Sequence, residues 1–138
     1  MHSTVGHLVI DELIATVRYL KARKRGHDLT CWRFLRVKPD RLLHLIAERV
    51  QDWQPHPQPL TTWDYHALDN TIDAAERAQL IQQLNWSTPH TMDQSCSWLT
   101  RQIIQLAEQK ALARHESLPV DIIERHLAFI RAELDLAA

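Results

Sequence analysis

The sequence predicts an all-α fold, a compact bundle of five to six helices, and three observations predict it. Glycine occurs only twice in 138 residues, at Gly6 and Gly26, too few for glycine-cradled phosphate loops, dinucleotide fingerprints or turn-rich β architectures. Apolar residues recur at three- and four-residue steps through most of the chain. Capping residues, prolines and Gly26 bracket those stripes. With 45% hydrophobic residues the chain has enough apolar mass for one core, so 1–138 reads as a single helical domain. Its parts are a basic half (1–53), a proline-rich connector (54–60) and an acidic half (61–138).

The first helix carries Val5, Leu8, Val9, Leu13, Val17 and Leu20 on one stripe, widened by Ile10 and Ile14. Ser3 or Thr4 caps its start. The basic run KARKR at 21–25 complements the negative end of the macrodipole, and Gly26 supplies the left-handed stop. Residues 28–37, DLTCWRFLRV, fit a short helix capped by Asp28 or Thr30, but their Trp, Phe and Val also suit a strand. Lys38-Pro39 breaks that segment, and PDRLLHLIAERVQDW follows as a helix with Leu42, Leu45, Ile46 and Val50 on one side. QPHPQPL at 54–60 reads as an extended connector. Beyond it come a short helical piece around Trp63–Leu68 and a helix from about Ile72 to Leu84, closed by Asn85–Pro89. Thr91 and Gln94 have capping-box spacing for a long helix to about His115, with Cys96, Leu99, Ile103 and Leu106 on its seam. Ser117-Leu118-Pro119 opens the last helix, striped by Ile123, Leu127, Ile130 and Leu134. The short link predicts that the last two helices form an antiparallel hairpin.

Sixteen basic and seventeen acidic residues leave a formal net charge of -1, which excludes a globally basic binder. The distribution is uneven, however. Residues 18–49 hold ten basic and three acidic side chains, residues 1–17 hold two acids, and residues 50–138 hold six bases against twelve acids. The local nets are +7, -2 and -6, and local fields decide what a polyanion meets within a Debye length of about 8 Å. Tyr19, Trp32 and Phe34 are interleaved with the bases, a combination suited to sequence-tolerant nucleic-acid binding. The expected contact residues are Arg18, Lys21, Arg23, Lys24, Arg25, Arg33, Arg36, Lys38 and Arg41. The bland alternative is a solvated basic face, with Trp32 and Phe34 as core anchors. A helix-turn-helix is not supported: Thr30 to Val37 is about one turn too short for its first helix.

Chemistry is poorly represented. None of the nine histidines lies three or four residues from another, so paired imidazole ligands are missing and no metal or other cofactor is expected. Asp69, Asp73 and Glu76 would align on a continuous helix, although an acidic first turn explains them as well. Arg41 and His44 fall within one helix, and Arg23 and His27 straddle the first helix's stop at Gly26, so neither pair nominates a nuclease site. Cys31 and Cys96 form no cysteine motif and read as free buried thiols in a cytoplasmic protein. No signal-like or membrane-spanning stretch is expected. Trp53, Trp63 and Trp86 beside loops read as loop pins, or as anchors for a protein partner.

The expectation is therefore a non-catalytic accessory subunit of a nucleoprotein complex. Its basic face would meet a nucleic-acid backbone and its acidic half other protein subunits, with no membrane and no small-molecule substrate. In size, helicity and charge layout it is similar to the small helical subunits of CRISPR-type effector complexes. The alternative is a protein–protein interaction module (adaptor, chaperone or inhibitor) with no nucleic-acid role.

Overall fold

The computed structural model describes residues 4–50 and 60–134. Within them every regular element is a helix: α1 (Thr4–Lys24), α2 (Asp28–Leu35), α3 (Lys38–Val50), α4 (Thr62–Thr71), α5 (Ala74–Gln82), α6 (Pro89–Ala113) and α7 (Val120–Leu134). The count exceeds five or six because the ambiguous 28–37 segment is helical over Asp28–Leu35. The connector at 54–59, Trp53 and the candidate cap Ser3 lie outside the described residues.

Two long helices organise the rest. Helix α1 packs on α2, α6 and α7, while α6 packs on α1, α2, α3 and α7. Cross-helix pairs run Thr16 to Thr100 and Arg23 to Asp93, so α1 and α6 are antiparallel. Because α1 has neighbours on several sides, burial extends beyond its predicted stripe. Val5, Val9, Leu13 and Leu20 are buried, and so are Glu12, Ala15, Thr16, Tyr19 and Ala22 on the other flank, whereas Ile10 and Ile14 are exposed. The α6 seam of Cys96, Leu99, Ile103 and Leu106 is buried against α1 and α3.

The ends of the helices follow local chemistry. After α1, the Gly26 N–H donates to the Arg23 carbonyl (3.1 Å) and the His27 N–H to the Ala22 carbonyl (3.0 Å). That bond pair is a Schellman stop, with Gly26 at φ +69°. The same pair recurs after α6, where Glu116 N–H donates to Ala111 at 2.8 Å and a histidine, His115, takes the left-handed turn at φ +56°. Helix α6 begins one turn earlier than its predicted cap: Thr88 is the N-cap, Thr91 completes the box, and Pro89 opens the helix instead of closing the previous segment. Thr61 and Asp64 cap α4 reciprocally.

Helix α5 is the least integrated element. It contains no fully buried residue, and a cavity of about 360 Å³, lined by Leu42, Ile46, Leu80, Trp98 and Leu106 among others, lies between it and α3 and α6. Trp86 pins the following loop, donating its indole N–H to the Gln83 carbonyl at 2.8 Å.

Candidate nucleic-acid interface

The basic stretch folds into α1, the three-residue corner around Gly26, α2 and the start of α3, and this fold sorts its nine candidate cations into three groups. Lys38 is removed from any contact face. It is fully buried, where its ammonium donates to a Glu12 carboxylate oxygen and to the Thr16 hydroxyl at 2.7 Å. The Lys38-Pro39 pair does not end a helix there; it opens α3 with the lysine turned inward. Glu12, also fully buried, gives its other oxygen to Arg41 Nη1 at 2.9 Å. Thr100 of α6 completes the cluster, its hydroxyl 3.3 Å from that of Thr16. A charge inside a low-dielectric core persists only when paired and hydrogen-bonded, which this cluster achieves across three helices.

Arg23 belongs to the second group, as a structural residue. Its guanidinium donates to Asp93 (2.8 Å), Asp28 (2.9 Å) and the Tyr19 hydroxyl (3.1 Å), tying the start of α6 to the α1–α2 corner. Tyr19 donates to the same Asp93 oxygen at 2.5 Å. Burial and this carboxylate push the phenol pKa far above its usual value, so it stays a neutral donor. Lys24 is exposed and ion-paired to Glu133 of α7 at 2.8 Å.

The third group converges on one surface groove, where Arg18, Arg33 and Arg36 are exposed and Arg41, paired with Glu12, is half-buried. Arg18, Arg33, Arg36 and Arg41 line an open groove of about 360 Å³ between α1, α2 and the start of α3, around Ile14, Phe34 and Val37, with Asp11 also in its wall. Arg18 and Arg33 approach the Phe34 ring, their guanidinium carbons 6.0 and 5.4 Å from its centroid. Next to the groove, Arg36 lies 5.1 Å over the Trp32 ring, a cation–π distance. Trp32 is 45% exposed and Leu29, one turn earlier, 85% exposed. Phe34 is half-buried against the core, so the core-anchor reading fits Phe34 and not Trp32. Lys21, which is exposed, continues the Ile14–Arg18 face of α1 at helical spacing, and Arg25, also exposed, lies in the turn just after that helix.

Other candidate chemistry disperses. The Asp69–Asp73–Glu76 row is interrupted, because α4 ends before Asp73 and Asp73 caps α5, accepting from the Glu76 N–H at 2.8 Å. Among the described residues no group of three or more His, Cys, Asp or Glu side chains could hold a metal ion. Cys31 and Cys96 are free and buried; burial pushes the Cys96 thiol up to about 11 and raises that of Cys31, which suppresses thiolate chemistry. His44 is half-buried, and its Nε2 has no hydrogen-bond partner among the described residues. No helix among the described residues is long and apolar enough to cross a membrane. Sequence reasoning missed the interior role of Glu12 and Lys38; the one signal was an acid set between the apolar positions Val9 and Leu13. Comparison with protein-family models, curated proteins and solved structures finds no match to this chain.

Proposed function

We propose that this chain is a non-catalytic accessory subunit of a nucleoprotein complex that holds a nucleic-acid backbone in the groove between α1, α2 and α3. The observation that carries this reading is the convergence of Arg18, Arg33, Arg36 and Arg41 on one open concavity beside exposed aromatic surface. Guanidinium groups match phosphate geometry in a bidentate fashion and remain charged at every relevant pH. The acidic half, with α6 and α7 as an antiparallel hairpin, faces neighbouring subunits in this reading. The Lys24–Glu133 pair supports that arrangement, since it brings the end of α7 to the end of α1.

Binding to single-stranded and duplex nucleic acid, titrated with salt, tests the proposal. Wild type is expected to bind at low salt with an affinity that falls steeply as salt rises. Changing Arg18, Arg33 and Arg36 together to Ala should flatten the logarithmic salt slope by roughly 0.7–0.9 per lost phosphate contact. Arg23 is left unchanged because it holds the corner. Absence of binding at low salt, or an unchanged slope in the triple variant, overturns the reading.

One observation favours a protein-interaction module instead. Ile81, 64% exposed, lines an apolar cavity of about 140 Å³ together with Leu43, Leu68, Ile72, Leu80 and Leu84, among others. A partner held there would bind with little salt dependence, and Ile81→Ala would weaken it while the arginine variant would not.

A further inference from the structure

We infer that the groove selects single-stranded nucleic acid and does so by stacking bases on Trp32 and on the guanidinium planes beside it, an inference that rests on the backbone-binding reading above. Three features carry it. First, the cations line a concavity of about 360 Å³. A flexible strand can lay its phosphates and one splayed base in such a groove, whereas a duplex presents phosphates on a convex surface and is read by an element inserted into its major groove. Second, the ring of Trp32 carries the Arg36 guanidinium at 5.1 Å and still leaves 45% of the residue exposed. A cation against an aromatic ring makes a composite flat surface with both π and positive character, which attracts a base regardless of its identity. Third, Leu29 is 85% exposed one turn away on the same short helix, extending an apolar shelf that no phosphate contact requires. Duplex binding uses none of this aromatic and apolar surface, because paired bases are stacked on each other.

The test compares four probes of equal length with the full chain: a pyrimidine deoxy-oligonucleotide, its ribonucleotide counterpart, its duplex form, and an abasic single strand carrying the same phosphates without bases. Both base-bearing single strands should bind more tightly than the abasic strand and the duplex, by roughly tenfold per stacked base. Trp32→Ala should bring base-bearing and abasic strands to the same affinity and leave the salt slope unchanged, while Trp32→Phe should restore part of the difference. Equal affinity for base-bearing and abasic strands, or duplex binding as tight as single-strand binding, overturns this inference and leaves the backbone-binding reading standing. Failure of all four probes to bind at low salt overturns both. Circular dichroism of each variant separates loss of binding from loss of fold, and the abasic comparison on wild type needs no variant.

Discussion

Removing the ammonium of Lys38 while keeping Glu12 leaves a carboxylate in the core with the Thr100 hydroxyl and one arm of Arg41 as its remaining side-chain partners among the described residues. Lys38→Met should therefore cost about 3–5 kcal/mol, the usual penalty for orphaning half of a buried pair. Replacing both members, as Glu12→Leu with Lys38→Met, should cost much less than the single change, because no charge is then left in the interior. Denaturant unfolding of the three proteins checks both outcomes. His44 provides a pH dependence. Burial lowers its pKa below the ordinary 6.5 despite the carboxylates of Asp40, Glu48 and Asp64 nearby, with Lys110 also acting to lower it. The unfolded chain thus takes up a proton at a pH where the folded chain resists it, so this contribution is present above about 6.5 and fades as pH falls below it. Unfolding midpoints of wild type should drop more steeply between pH 7 and pH 5 than those of His44→Leu.

The helix stops lend themselves to opposite substitutions. Gly26 adopts φ +69° with open space where a Cβ would stand, so Gly26→Ala should destabilise by about 1 kcal/mol through backbone strain alone. His115 occupies the equivalent left-handed position after α6, and His115→Gly should stabilise by a similar amount. Thermal unfolding reads both. Helix α5, with no buried residue and a cavity along its inner side, should exchange its amide hydrogens well before α1 and α6, as mass-spectrometric exchange would show. The positions of α1, α3, α6 and α7 were legible in the periodicity of the sequence because each owes its place to an apolar face. Boundaries were less legible. The Thr88–Thr91 box and the Thr91–Gln94 spacing both look like caps, and in the structure it is Thr88 that accepts from the Thr91 N–H and caps α6. The 28–37 segment stayed ambiguous because ten residues that include Trp32, Phe34 and Val37 have little periodicity; the structure makes it a helix over Asp28–Leu35, after the three-residue corner at 25–27.

Across the whole molecule, the formal charge of -1 conceals a strongly basic segment, and the regional partition of charge picks that segment out. It could not find which cations remain available. Summing charges along a chain treats Lys38, Arg23 and Arg33 alike, whereas the fold buries the first, builds the second into a brace and leaves the third open. That sorting depends on Glu12 and Asp93, which are 26 and 70 positions from their partners Lys38 and Arg23, and on Thr100, 88 positions from Glu12, in a sequence that gives no sign of these contacts. The groove itself forms only when the Gly26 corner folds α2 back along α1, so its concavity is a property of the assembled chain.

The two oxygens of Glu12 are divided between Lys38 in the interior and Arg41 in the groove wall. Descent with modification is constrained by that division. A lineage that loses the carboxylate must also replace the lysine, and it sets the arginine free to turn outward. In related sequences, positions 12, 38 and 41 should therefore change as a set, while Arg18, Arg33 and Arg36 drift or persist with whatever the groove holds.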